Sequence, residues 1–378
     1  MSRKLLSYTA LGLILGNTAF ADVPKVAVDI APVHSLVSRV MEGVGTPKLV
    51  IPAGASPHGY SLRPSEAKAL QDADMVIWMG EDLAPWMEKS VETLSKGAEV
   101  ITLLEESETK LLDFREGALF EEHDHGDHDD HDEHDKDHDD HDHDKDHDDH
   151  DDHDDHDDHD DHDDHDKDHD DHGHDKDHDD HDDHEDHDDH DKDHDDHDDH
   201  DDHDEHAHGE HDPHAWLSVE NAQTWLNLVA GKLSAADPEN AGVYFSNAAE
   251  ARAEIDALVE EVNSILEPVR GRNFVVFHDA YQYFETSFDF PAAGAISLGD
   301  ASDPSAARIA EIQGRVRNEG INCVLSEPQF NPNLVETVLS GTDAKTGIID
   351  PLGSNLEPGP KLYGDLIRNM AKSLAGCL

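Results

Sequence analysis

Basic residues are scarce in this chain, 27 Lys and Arg against 91 Asp and Glu, and the formal net charge is −64. So acidic a polymer is repelled by phosphate backbones, which excludes nucleic acid as a partner. Cysteine is almost absent, with only Cys323 and Cys377. Long apolar runs are missing as well. Leu5 to Leu15 is a short apolar stretch, and nothing later approaches the roughly 18 apolar residues that a membrane helix needs.

The short apolar stretch reads as part of an export signal. Ser2-Arg3-Lys4 supplies a positive start and Ala19-Phe20-Ala21 a small-x-small cleavage pattern, so residues 1–21 are expected to be removed and the mature chain to begin at Asp22. No Cys stands at the cleavage point, which argues against a lipid anchor. Export makes a disulfide between Cys323 and Cys377 the natural reading, with two free thiols or two metal ligands as its rivals. In the chain-entropy picture, closing a loop of that length stabilises the fold by about 4 kcal/mol.

The acidity is concentrated. Residues 121–213 hold 53 acids and 5 lysines, a net of −48, while the remainder holds 38 acids and 22 bases, a net of −16. From His123 to His211 the chain is almost only Asp, His, Glu and Lys and carries 30 of the 34 histidines, in Asp-Asp-His units interrupted by Asp-Lys-Asp-His. Nothing apolar larger than Ala207 occurs there, so the stretch cannot bury enough surface to offset its chain entropy and reads as a disordered insertion. A period of three aligns histidines only in an extended, polyproline-like chain. Imidazole flanked by carboxylate suits Zn²⁺, with Ni²⁺, Cu²⁺ and Co²⁺ also able to bind. Without a packed shell, several sites of this kind should each be weaker than a folded one. A solubilising linker would need only the acids. Storage, scavenging, sensing and hand-off are all compatible with the composition.

Roughly 265 residues remain outside the signal and the insertion, enough for two lobes with real cores. They alternate short β-type runs with helical ones, which predicts an α/β fold of two lobes, each a mainly parallel sheet with flanking helices. Expected strands are Lys25–Ile30, Lys48–Ile51 and Met75–Met79 in the first lobe, with a helix near Pro64–Asp72. In the second they are Phe274–Phe277, Ile321–Ser326 and Gly347–Ile349. Between the lobes, Asp237 and Pro238 suit a helix N-cap and first position. Ala241, Tyr244, Ala248, Ala251, Ile255, Leu258, Val262 and Ile265 then recur at spacings of 3 and 4 up to Glu267-Pro268. One rigid helix of roughly 40 Å is implied. The division expected is an N-terminal lobe over 22–236, carrying the insertion at 122–212, a linking helix over 237–268, and a C-terminal lobe over 269–378.

Four histidines lie outside the insertion: His34, His58, His214 and His278. Open α/β sheets bind ligands at the carboxyl ends of their strands. His278 follows the strand Phe274–Phe277, and Asp350 follows Ile348-Ile349. His58 sits in a Pro/Gly loop after a first-lobe strand, and His214 opens the ordered chain after the insertion. His58, His214, His278 and Asp350 together make a tetrahedral N₃O set, suited to one tight Zn²⁺ between the lobes more than to Mn²⁺. Taken singly, each histidine is as readily a hydrogen-bonded structural residue, which is the reading adopted for His34. Glu327, after the strand ending at Ser326, is a candidate to orient a ligand.

Several long motifs resemble one known family. Gly54-Ala55-Ser56-Pro57-His58-Gly59-Tyr60-Ser61-Leu62-Arg63-Pro64-Ser65 is similar to the first ligand loop of ZnuA-like zinc-uptake binding proteins, which belong to the cluster A-I solute-binding proteins of ABC transporters. Asp212-Pro213-His214-Ala215-Trp216-Leu217 resembles their second ligand motif and Phe277-His278-Asp279-Ala280-Tyr281 their third. Ser326-Glu327-Pro328-Gln329-Phe330 and Ile349-Asp350-Pro351-Leu352-Gly353 match later segments. The resemblance implies a periplasmic, non-enzymatic, monomeric zinc-binding protein that docks on an ABC permease at the inner membrane, with an accessory periplasmic zinc chaperone as a further candidate partner. It also implies that His58, His214 and His278 are ligands and that Cys323 and Cys377 pair. Where some members carry a Glu ligand before the first histidine, this chain has Pro57, so Asp350 is taken as the fourth ligand, with water as the alternative. A zinc hydrolase, a metal buffer that works through the insertion alone, and a carrier of Mn²⁺ or Ni²⁺ are the competing functions.

Overall fold

The computed structural model describes residues 23–115, 120, 211–297, 305–329 and 332–378. The export signal read in residues 1–21 and the disordered insertion read in 122–212 (save its last residues, His211 and Asp212) lie outside the described residues.

The first lobe is built from β1 (Val26–Val28), α1 (Ala31–Val40), β2 (Lys48–Leu49), α2 (Pro64–Gln71), β3 (Met75–Trp78), α3 (Pro85–Leu94) and β4 (Glu99–Thr102). Its four strands are all parallel, in the order β2-β1-β3-β4. Every residue of β1 and β3 is buried. A strand apolar on both faces must be covered on both, which is what the crossover helices do. In α1 that cover comes from Val33, Leu36, Val37 and Val40, a stripe at helical spacing.

After the insertion the chain re-enters at His211 and forms two long helices. In α4 (Val219–Ala236), Ser218 caps the start by accepting from the Asn221 N–H at 3.1 Å, and Trp225, Leu226, Val229 and Leu233 are buried. Then α5 (Ala241–Leu266) runs 26 residues, about 39 Å at the usual rise. It begins three residues later than the Asp237-Pro238 cap signal suggests, because Pro238–Asn240 forms a 3₁₀ turn instead. Asp237 is held inward, accepting from Asn240 at 2.7 Å and from the Tyr244 hydroxyl at 2.8 Å. The buried stripe is Tyr244, Ala248, Ala251, Ile255, Leu258, Val262 and Leu266. This helix packs on α1 and α4 and on the C-terminal helix, joining the lobes.

The second lobe follows with β5 (Asn273–His278), α6 (Gln282–Phe288), β6 (Ala295–Ser297), α7 (Ala306–Asn318), β7 (Ile321–Ser326), α8 (Pro332–Leu339), β8 (Lys345–Ile348) and α9 (Leu362–Cys377). Its sheet is again four parallel strands, ordered β6-β5-β7-β8. Strand β7 runs over the residues expected, β8 begins two residues earlier than expected, and β4 and β6 are additional. Cys323 in β7 is disulfide-bonded to Cys377 at the end of α9, with Cα atoms 5.8 Å apart. Gly347 makes room for that bond: a Cβ there would stand 2.8 Å from Leu325 Cδ2 and 3.1 Å from Cys377 Cβ.

Candidate metal centre

The site stands where the second sheet changes direction. The connection after β5 runs one way, to β6, and the connection after β7 the other way, to β8, so a crevice opens beyond the ends of β5 and β7. His278 is the last residue of β5 and is 3% exposed. His214 precedes the 3₁₀ turn Ala215–Leu217 that leads into α4 and is 4% exposed. His58, half-buried, comes from the long loop between β2 and α2. Each of the three offers one nitrogen, and all three nitrogens lie within 4.8 Å of one another. The His214 ring is 5.4 Å from that of His58 and 5.1 Å from that of His278, centroid to centroid.

Two buried carboxylates set the rings. His214 Nδ1 is 2.6 Å from Asp212 Oδ1, and His278 Nδ1 is 2.6 Å from Glu327 Oε1. An Nδ1–H donated to a carboxylate leaves Nε2 with its lone pair, which is how metal-binding histidines are commonly prepared. The two Nε2 atoms face each other at 3.3 Å. Two lone pairs that close require a proton or a cation between them. Zinc–nitrogen bonds of 2.0–2.1 Å at tetrahedral angles put neighbouring nitrogens about 3.3 Å apart. The spacing is the edge of a zinc tetrahedron.

The remaining candidates are held by other partners. Asp350 is not part of this group among the described residues. Its Oδ1 accepts from the N–H groups of Leu352 (3.0 Å) and Gly353 (2.9 Å) and from the Ser354 hydroxyl (3.3 Å), and its Oδ2 accepts from the Ser354 N–H at 2.6 Å. The carboxylate therefore builds the turn after β8. Burial also disfavours the charged ring of His34, which lies in α1 against the Pro47 carbonyl and Ser38. That is the structural role expected of it. Glu327, expected as an orienting group, is the partner of His278 and also accepts from Gln329 at 2.6 Å.

Three contributors carry weaker sequence signals. Asp212 accepts from both the backbone N–H and the ring of His214, and burial pushes its carboxyl up to about 6. The spacing Asp-x-His is a local hint of that bond. Arg115 pairs with the buried Asp279, next to His278, and with Glu285 of α6 at 2.7 Å. Burial works against its charge, but those two carboxylates outweigh it and hold the guanidinium above its usual pKa. Nothing local announces a pairing across 164 residues. Trp216 donates its indole N–H to the Pro351 carbonyl at 2.8 Å, tying the His214 turn to the loop after Asp350.

The family model described as zinc-uptake complex component A, periplasmic (ZnuA), matches residues 26–377. The chain belongs to that family. The high-affinity zinc uptake system protein ZnuA of Brucella abortus (strain 2308) is 43% identical over 363 residues, which are 96% of this chain and 94% of the relative. The protein of the same description from Paracoccus denitrificans (strain Pd 1222) is 42% identical over 376 residues, 98% of each. Among solved structures, one described as the crystal structure of ZnuA matches with a TM-score of 0.62 at 16% identity, over 94% of this chain and 99% of the other. That likeness carries the fold. Membership of the ZnuA family makes the chain a periplasmic component of zinc uptake and implies an ABC-transporter permease as its partner. No described helix is long and apolar enough to cross a membrane. In this ZnuA-family chain the residue before the first histidine is Pro57, buried and without a side-chain donor atom.

Proposed function

We propose that the chain captures one Zn²⁺ tightly between its lobes, on His58, His214 and His278, and delivers it as a monomer to the permease. The 3.3 Å approach of two carboxylate-oriented imidazoles supports this above any other observation. Three neutral nitrogens favour Zn²⁺ over Mn²⁺, which prefers oxygen-richer sets. The fourth position falls to Asp350 or to water. The hydrogen bonds already made by both oxygens of Asp350 favour water. The His-rich insertion is an accessory scavenger or sensor that raises local zinc, and an accessory zinc chaperone would act at the same stage.

Three histidines and a water also form the arrangement of a zinc hydrolase, but hydrolysis needs a base on that water. The carboxylates around the cluster have other work: Asp212 holds His214, Glu327 holds His278, Asp279 holds Arg115, and Asp350 holds its turn. Capture and release is the better reading. Titration calorimetry on a chain lacking residues 124–204 tests it. One tight Zn²⁺ per chain should remain, Mn²⁺ should bind more weakly, and His214→Ala should abolish the tight event. Tighter Mn²⁺ than Zn²⁺, or no tight zinc at all, overturns the proposal.

A further inference from the structure

We infer that Trp86 is a positioning residue for metal capture: its indole N–H holds the carbonyl of Pro57 and so places the His58 imidazole opposite those of His214 and His278. This rests on the reading of the three histidines as zinc ligands and adds the device that brings the third of them into place.

His214 and His278 start from rigid ground, the head of a helical turn and the end of a strand. His58 does not. It sits within the 14 residues that separate β2 from α2, and a ligand on a loop of that length contributes fully to affinity only if the loop is ordered beforehand. Trp86 lies in the first turn of α3, whose Met87 and Val91 are buried in the first-lobe core. From there its Nε1 donates to the Pro57 oxygen at 2.7 Å. On the other side of His58, the Tyr60 ring meets the Trp86 ring edge-on at 5.9 Å, and its hydroxyl donates to Glu66 of α2 at 2.9 Å. Glu66 also accepts from the Arg63 N–H at 2.7 Å, which closes the loop onto the helix. The loop is thus gripped at residues 57 and 60, directly around His58. Proline at position 57 fits this role, because its ring fixes φ and leaves the carbonyl as its only backbone hydrogen-bonding group.

The test is a double-mutant cycle read by zinc competition with a chromophoric chelator and by zinc release in stopped flow. W86F keeps an aromatic ring against Tyr60 and removes only the donor. It should weaken zinc binding by about 3- to 10-fold, the range of one hydrogen bond, mainly through faster release. In the H58A background, W86F should change the residual affinity by less than 2-fold, since no ligand is left to position. An equal loss in both backgrounds means that Trp86 acts only on overall stability, and no loss in either means that it does not act on the metal. Both results overturn the inference. W86L, which lacks the donor as well, serves if W86F folds poorly. Undiminished zinc affinity in H58A alone would instead remove His58 from the site, so the two failures are distinguishable.

Discussion

The two sheets of this protein share one topology and end it differently. In the first, the change of direction falls between β1 and β3, and Asp29 follows β1. Its two oxygens accept the N–H groups of Ile30 and Met79 at 2.7 Å each, so a fully buried carboxylate seals the crevice with the protein's own backbone. In the second, the corresponding crevice has His278 at the end of β5 and Glu327 after β7, joined at 2.6 Å. There too a buried carboxylate bridges neighbouring strand ends, but its partner is an imidazole whose second nitrogen faces that of His214. Ending a strand on histidine leaves a ring nitrogen for the histidine cluster where the first sheet has a seal. The first lobe brings His58 to the cluster from a loop, and its own sheet stays closed.

The strongest way to break this contrast is His278→Ala. It removes a proposed ligand and leaves Glu327 buried without its imidazole, so zinc affinity should fall by more than the about 10–100-fold that an outer-shell partner carries. Calorimetry gives the measure. Reducing the Cys323–Cys377 bond, which spans 54 residues, should destabilise the protein by about 4 kcal/mol. Urea titration with and without reductant gives the total, and hydrogen exchange should show the loss in β7 and β8 before β1 and β3. Glu327→Gln should weaken zinc by about 10–100-fold, while Asp29→Gln at the sealed crevice should leave zinc affinity within about 2-fold and act on stability alone. The subtlest test is pH. Burial raises Asp29 in the folded protein from 3.8 to about 7, against the three backbone N–H groups, of Met79, Ile30 and Asp29 itself, that lower it. A raised carboxyl contributes stability that is complete below about pH 4 and is lost as pH rises through about 7. Asp29→Asn should flatten that part of the stability curve, at a fixed cost of about 1–3 kcal/mol for the N–H left without an acceptor.

The histidine positions were legible because each carried a local mark: a strand end for His278, a Pro/Gly loop for His58, the edge of the acidic run for His214. The linking helix was legible from its stripe. Strand β6 was not, since Ala295–Ser297 is too short for a period and exists because β5 offers it a ladder. Strand β4 was hidden for a related reason: an edge strand with Glu99 and Val100 exposed shows only Ile101 as fully buried. Helix α4 had a full signal in Ser218 and its buried stripe, and was obscured by the acidic run before it. The place of Asp350 after β8 was legible, but its hydrogen bonds to three successive backbone N–H groups were not, because turn geometry does not register in strand patterning. Arg115 and Asp29 act through burial and distant pairing, which only the folded chain reveals.

The return of the chain after the insertion has a consequence for how this protein can vary. Asp113 and His211 form an antiparallel bridge with their side chains 2.9 Å apart, and the Asp212 N–H donates to the Leu112 carbonyl at 2.8 Å. The chain on the two sides of the insertion is therefore stitched together at this point, three residues from His214. The cost of closing a flexible loop grows only with the logarithm of its length, about 0.6 kcal/mol per doubling. A change in the number of Asp-Asp-His units should accordingly cost little loop-closure entropy and leave that stitch, and the three histidines, in place.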